Sequence, residues 1–319
     1  MLSTDHFPLA KKYWHMGAMR DWSDLILHPM AHALHYGTSV FEGIRAYETS
    51  RGPAIFRLEE HIDRFFISAR VARMNVPYGK EEILGACQRT LRENGLEAGY
   101  LRPLLYYSYG NLGLIPKVSP VELVVGAWKW GAYMGEKAET GITVIILPWR
   151  RVHHSQVDLR AKLGGIYIQS AICGLEARAR GAEEALFLNL EGRVAEGPGE
   201  NIFLVRDGVL KTNDLSESIL EGITRASLLE IARDLGLEAV IGPIAKDELY
   251  AADEAFFCGT AVEVTPILRV IDGSDAASNP AVHSIGPGRA GEVTIRLRQA
   301  FREVTAGRNP RFERWLTFV

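Results

Sequence analysis

Residues 160–170, RAKLGGIYIQS, set one amine, Lys162, among small and apolar neighbours and place a phenol, Tyr167, shortly after it. Desolvation disfavours an ammonium, so a lysine held against Leu163, Gly164, Gly165 and Ile166 is a candidate to lose its proton near neutral pH. A neutral lysine amine attacks carbonyl carbon, and once released it can act as a base. Taken alone, the segment equally suits a surface lysine in a Gly-Gly turn ahead of a helix. The rest of the chain decides between the two.

At 319 residues and 47% hydrophobic, the chain can bury one large core or two medium ones, and a domain size of roughly 100–200 residues predicts two. VFEGIRAYE alternates like a strand, SRG marks a turn and AIFRL returns; LEEHIDRFFISARVA then puts Leu58, Ile62, Phe65, Phe66 and Ala69 at helical spacing. A helix over residues 81–94 ends at Gly95 as a C-cap, before a strand over 100–107 and another in VELVVGAW. Glycines and charges interrupt the pattern over 129–141, which predicts an interdomain connection between a first domain, 1–128, and a second, 142–319. In the second domain Ile168, Ile172, Leu175 and Ala179 recur at helical spacing and predict an amphipathic helix. Glu191-Gly192 and Asp207-Gly208 read as hairpin turns, and the helix SLLEIARDLG ends at Gly236. The class is α+β.

Composition excludes several functions. The net charge is −3 with both signs interspersed, so neither nucleic acid nor a membrane surface is an expected partner. No apolar run approaches the ~20 residues that span a bilayer, and MLSTDHFPLAKKYW lacks a signal-peptide core, so the expectation is a cytoplasmic protein. Cys87, Cys173 and Cys258 are too scattered for a disulfide framework and read as buried thiols. His153 and His154 are adjacent and cannot share a helix face, so no metal site is expected. The glycines of IGPGRAG, residues 285–291, lack the strand, turn and helix context of a dinucleotide fingerprint and read as a surface turn before the helix VTIRLRQAF. No sequence repeat or heptad is visible.

Five motifs carry a resemblance. HALHYGTSVFEGIRAYE at 32–48, the AK.GG.Y core around Lys162, AEGPGENIF at 195–203, EGITR at 221–225 and CGTAVEVTP at 258–266 together resemble branched-chain amino acid aminotransferases, pyridoxal phosphate enzymes of fold type IV. The resemblance implies a two-domain α+β fold, with a smaller N-terminal α/β lobe and a larger C-terminal, mixed β-barrel-like lobe carrying helices. It implies a homodimer at least, or a hexamer. Such an enzyme exchanges amino groups between leucine, isoleucine or valine and 2-oxoglutarate. Lys162 would then hold pyridoxal 5′-phosphate and, once displaced, carry the proton taken from substrate Cα. Glu196 would pair with the pyridine nitrogen and Tyr167 with the phenolic oxygen. The phosphate would meet the backbone N–H groups of Ile223 and Thr224 at a helix start, where unpaired donors favour an anion; Arg64 and Thr260 would join them.

The same resemblance assigns the substrate pocket. Phe41, Trp130 and Tyr167 are its apolar walls, with Tyr36, Arg102 and Tyr133 as polar groups for the γ-carboxylate of glutamate. A guanidinium suits that carboxylate better than an ammonium would. The backbone of Thr260 and Ala261, with Tyr100 nearby, takes the α-carboxylate. Two features beside Lys162 depart from the usual pattern: Ile166 stands where Asn is usual, and Asp158-Leu159-Arg160 where an Ile-Pro type segment is usual. The loop YGNLGLIP, 109–116, also varies, and the family uses this loop across a subunit contact, so Leu112 and Leu114 bear on a neighbour's pocket. These departures leave room for (R)-amine or D-amino acid transamination, and aminodeoxychorismate lyase shares the fold. A non-catalytic protein on this scaffold would have no need of Lys162, Glu196 and Arg64 together.

Overall fold

The structure is a computed structural model that describes residues 7, 9–24, 27–131, 134–275 and 280–319. Its contacts divide the chain into two units, one of residues 1–131, 160–166 and 303–319, the other of 132–159 and 167–302. The single division expected at 129–141 therefore needs correcting. The chain returns to the first unit twice, because Leu163 bridges to Val40 and because strand Leu316–Phe318 pairs antiparallel with Gly52–Phe56.

The first unit is built on an eight-stranded sheet. From one edge its strands run Leu316–Phe318, Gly52–Phe56, Ile44–Thr49, Gly99–Tyr107, Val121–Trp128, Lys12–His15 and Ala18–Asp21, all antiparallel, with Ser39–Phe41 also paired to Gly99–Tyr107. Helices Leu58–Val71 and Lys80–Glu93 supply its core with Leu58, Ile62, Phe65, Ile83 and Leu91, packed with Ile44, Leu101, Leu105, Leu123 and Val125 from the strands. The second helix starts where the Glu82 carboxylate accepts the Gly79 N–H at 2.8 Å, and the left-handed Gly95, φ +64°, follows its end. Helix Leu58–Val71 also buries two polar side chains, His61 and Ser68, on the face that its apolar residues line. Both belong to the site.

The second unit holds a mixed eight-stranded sheet in the order Ala239–Ile241, Val209–Thr212, Asn201–Arg206, Glu254–Gly259, Glu263–Asp272, Ile142–Arg150, Glu184–Leu188, with Ala281–Ser284 beside Glu263–Asp272. Two of its parallel pairs carry their own crossover helix, as parallel strands must. Helix Tyr167–Ala179 joins Ile142–Arg150 to Glu184–Leu188, and helix Ile223–Asp234 joins Val209–Thr212 to Ala239–Ile241.

The first of these helices turns the other way from its apolar stripe. Ile168, Ile172 and Leu175 are 65%, 51% and 68% exposed, whereas Ser170, Cys173 and Ala177 are buried. Small side chains let the helix sit close on the strands, against Ile145, Leu147, Ala185 and Phe187. Periodicity finds such a helix but does not say which face the sheet takes. His153 and His154 lie in a loop with ring centroids 3.9 Å apart. The three cysteines are buried thiols, and burial pushes the Cys87 thiol up to about 12. The glycine-rich run before helix Glu292–Thr305 makes no anion cradle, because the Glu254 carboxylate already accepts the N–H groups of Val293 and Thr294 at 3.0 and 2.8 Å. Among the described residues, no helix is long and apolar enough to cross a membrane.

Candidate active site

In the first unit Lys162 is held from both sides of its peptide. Its N–H donates to Ser68 Oγ at 2.9 Å, and its carbonyl accepts the Phe41 N–H at 3.2 Å. The Gly-Gly pair that follows answers a steric demand: a Cβ on Gly164 would lie 2.1 Å from Ser39 Oγ, and one on Gly37, itself left-handed at φ +66°, would lie 2.7 Å from Gly165 Cα. Backbone passes backbone here, which fixes where the lysine emerges. The side chain is half-buried, with Nζ 4.9 Å from the centroid of the Phe41 ring.

Arg64 stands one helical turn before Ser68, whose hydroxyl donates to the Arg64 carbonyl at 2.9 Å. The Arg64 guanidinium grips Glu42 with two bonds, Nε to Oε1 at 2.7 Å and Nη2 to Oε2 at 2.8 Å, while His61 Nδ1 lies 2.8 Å from Oε2. Glu42 is fully buried. Burial alone would push its carboxyl up, but the charge and hydrogen bonds of Arg64, and then of His61, outweigh it and hold the group at about 2. His61 is held below its ordinary value by burial, against the pull of Glu42. Glu42 and His61 were not singled out from the sequence. The available signal was a charged residue inside the apolar alternation VFEGI and a histidine on the buried face of the Arg64 helix.

Phe41 links the lysine to the proposed substrate pocket. The Arg102 guanidinium carbon lies 4.6 Å from the centroid of that ring and 5.3 Å from the Tyr100 ring. Arg102 Nη2 donates to the Tyr100 hydroxyl at 3.1 Å, whereas its buried Nε meets no acceptor among the described residues. Trp130 meets Tyr100 edge-on at 4.4 Å. Phe41, Tyr100, Arg102 and Trp130 thus form one group: aromatic faces around a guanidinium with an unanswered donor. Tyr36 is engaged elsewhere, its hydroxyl donating to Leu112 O at 2.9 Å and its ring 4.6 Å from His32. Tyr133 lies outside the described residues.

In the second unit Glu196 is buried, and both its oxygens accept. Oε1 lies 2.9 Å from Arg151 Nε and from Arg151 Nη2; Oε2 accepts the Leu220 N–H at 3.0 Å and Asn201 Nδ2 at 3.3 Å. Arg151 is a partner the sequence reading missed, since a basic pair at 150–151 looks like any solvated run. The Asn201 amide also donates to Leu220 O at 2.9 Å, tying the 196–201 turn to the segment that enters helix Ile223–Asp234.

That helix begins at Gly222 with no side-chain cap, so the N–H groups of Ile223 and Thr224 have no capping oxygen from that residue. Gly222 has to be glycine, because a Cβ there would lie 1.9 Å from Asn201 Oδ1. Arg225 has a structural task, donating to Thr212 Oγ1 and to Asn213 O at 3.2 and 2.8 Å. Asn201 is also in register with Cys258, which sets the following turn, with Thr260 and Ala261 half-buried, beside the Glu196 turn. Tyr167, half-buried, opens helix Tyr167–Ala179.

Taken unit by unit, these groups are of the kinds that suit a phosphorylated pyridine aldehyde. In the second unit an uncapped helix start suits a phosphate, and in the first a carboxylate-anchored arginine does. A buried acceptor-only carboxylate suits a protonated ring nitrogen, and a half-exposed amine suits a carbonyl carbon. Comparison with known proteins agrees. The chain belongs to the amino-transferase class IV family, which it matches over residues 39–270. It is 44% identical over 308 residues to a branched-chain-amino-acid aminotransferase of Pseudomonas aeruginosa, covering 96% of each chain. The crystal structure of a T.th. branched-chain amino acid aminotransferase complexed with N-(5′-phosphopyridoxyl)-L-glutamate superposes with a TM-score of 0.90 at 45% identity, covering 98% of this chain and 99% of that one. The same T.th. enzyme complexed with 4-methylvaleric acid gives a TM-score of 0.89 at 44% identity, with the same coverage.

Proposed function

We propose that this chain is a branched-chain-amino-acid transaminase. It moves the amino group between L-leucine, L-isoleucine or L-valine and 2-oxoglutarate, giving branched-chain 2-oxo acids and L-glutamate. The observation that carries the substrate reading is Arg102 Nε, buried amid Phe41, Tyr100 and Trp130 and without an acceptor among the described residues. A pocket that takes an aliphatic side chain at one half-reaction and a γ-carboxylate at the other needs apolar walls and one charge that acts only when a carboxylate arrives. An unsatisfied donor stacked on aromatic rings supplies both.

Pyridoxal 5′-phosphate, when bound, supplies a carbonyl carbon for amino exchange and a ring that takes up negative charge from substrate Cα. The chain's residues do the rest. Lys162 anchors the cofactor, and its released amine takes and returns the Cα proton. Glu196, fixed by Arg151, Asn201 and Leu220, accepts a hydrogen bond from the ring nitrogen and keeps that proton in place. Tyr167 donates to the phenolic oxygen. Arg64, aimed by Glu42, meets the phosphate together with the amides of Ile223 and Thr224 and with Thr260. The backbone at Thr260 and Ala261, with Tyr100, receives the α-carboxylate, and Arg102 the γ-carboxylate, with Tyr133 as a further polar group.

The working unit is a homodimer or a larger assembly of such dimers. What supports this is the apolar surface around Tyr36, where Tyr36, Leu112, Leu114 and Ile115 are 44%, 41%, 75% and 65% exposed. The enzyme is placed in the cytoplasm, with its amino-acid and 2-oxo-acid substrates. The test is turnover with 2-oxoglutarate as acceptor, measured as glutamate formed from L-leucine, L-isoleucine and L-valine against D-alanine and (R)-1-phenylethylamine. Glutamate from the three L-donors supports the reading; glutamate from the D-amino acid or (R)-amine alone overturns it.

A further inference from the structure

The aromatic wall of the pocket continues away from it. Tyr100 and Trp130 both pack on Trp128, with centroids 5.2 and 5.9 Å apart. Trp128 is met edge-on by Phe7 at 5.3 Å, and Phe7 packs on Trp22 at the same distance. Trp22 in turn faces Tyr13 at 6.3 Å, and the Tyr13 hydroxyl donates to Asp24 O at 3.2 Å. Four aromatic side chains, Tyr13, Trp22, Phe7 and Trp128, therefore connect the N-terminal segment to Trp130.

Trp130 needs such support. Strand Val121–Trp128 ends before it, so no ladder pairing fixes its backbone. Arg45 does so instead: its Nη2 donates to Gly131 O at 3.2 Å and to Trp130 O at 3.4 Å. Arg45 lies opposite Tyr100 in the strand register, so the clamp and the wall share one rung of the sheet.

We propose that Phe7, Trp22 and Trp128, together with Arg45, are positioning residues that set the indole of Trp130 and so decide how long an aliphatic side chain the pocket prefers. This rests on the reading of Trp130 as a pocket wall. None of the four is placed against the substrate. Each acts through Trp130, Phe7, Trp22 and Trp128 through ring packing and Arg45 through the carbonyls. A loosened indole changes contact with the outermost methyl groups of leucine, while valine, being shorter, feels it less.

The experiment uses the full-length holoenzyme and measures kcat/KM for L-leucine and for L-valine in Phe7→Ala, Arg45→Met, Arg45→Lys and Trp130→Ala. Phe7 is 37% exposed, so its truncation leaves the fold intact, and thermal unfolding of each variant checks this. The expected result for Phe7→Ala and Arg45→Met is a fall of about threefold to tenfold in the leucine-to-valine ratio, the size of one lost aromatic contact. The change should sit in KM rather than kcat. Arg45→Lys, which keeps a cationic donor, should recover part of it. A merely structural role would lower both donors together. If Trp130→Ala shifts the ratio and neither Phe7→Ala nor Arg45→Met does, the positioning role is wrong while the pocket reading stands. If Trp130→Ala leaves the ratio unchanged, the pocket reading falls and the positioning role with it.

Discussion

Glu42→Gln should be costly although Glu42 touches no substrate. Its carboxylate is fully buried, receives both guanidinium bonds of Arg64 and a bond from His61, and is held at about 2 where an ordinary glutamate sits at 4.5. At about 1.36 kcal/mol per tenfold change in proton affinity, that lowering is worth on the order of 3 kcal/mol of stability at neutral pH. Removing the charge of one partner from an ion pair whose carboxylate is fully buried points to a similar size, about 3–5 kcal/mol. The sign follows from the direction. A carboxyl held low in the folded state contributes in full above 4.5, and the contribution fades as pH falls from there toward about 2. Urea unfolding of wild type and Glu42→Gln across pH 7 to 3 should therefore show a gap at neutral pH that narrows in acid. Cofactor retention should weaken roughly tenfold as Arg64 loses its aim. Equal stability at pH 7, or a gap that stays constant down to pH 3, would show that the Glu42 carboxylate is not held charged against Arg64.

Arg102→Met keeps the apolar stem and removes the donor, so the 2-oxoglutarate half-reaction should fall roughly tenfold to a hundredfold while the leucine half-reaction changes little; stopped-flow absorbance of each half-reaction separates the two, and equal losses would remove Arg102 from carboxylate recognition. Gly222→Ala places a Cβ 1.9 Å from Asn201 Oδ1 and must displace the side chain that also supports Glu196, so cofactor affinity should drop and stability fall by about 1–3 kcal/mol; titration with pyridoxal phosphate and thermal unfolding read both. Lys162→Ala should lose the visible band of the bound cofactor and essentially all turnover, and a fully active variant would take Lys162 out of the mechanism.

Legibility followed how local each feature is. The Lys162 segment, the Glu196 turn and the EGITR helix start each carry their residues within a few positions, so a motif exposes them. What supports them is distant in sequence. Glu42 meets Arg64 only because helix Leu58–Val71 lies against the strands that flank FEGIR, and Arg151 reaches Glu196 only because Ile142–Arg150 is a neighbour of Glu184–Leu188 in the sheet. The stripe Ile168, Ile172, Leu175 was visible, yet a period shows a face and not what covers it; close packing on parallel strands took the small-residue face instead. A division of the chain into consecutive domains likewise could not anticipate a last strand that pairs with Gly52–Phe56.

Donor specificity is read most directly from an absorbance scan of the purified holoenzyme as L-leucine, L-glutamate, D-alanine and (R)-1-phenylethylamine are added one at a time, without an acceptor. L-leucine and L-glutamate should each convert the band of the pyridoxal form into that of the pyridoxamine form, and the other two donors should leave it unchanged. Conversion by D-alanine or the (R)-amine in place of the L-donors would contradict the proposed function.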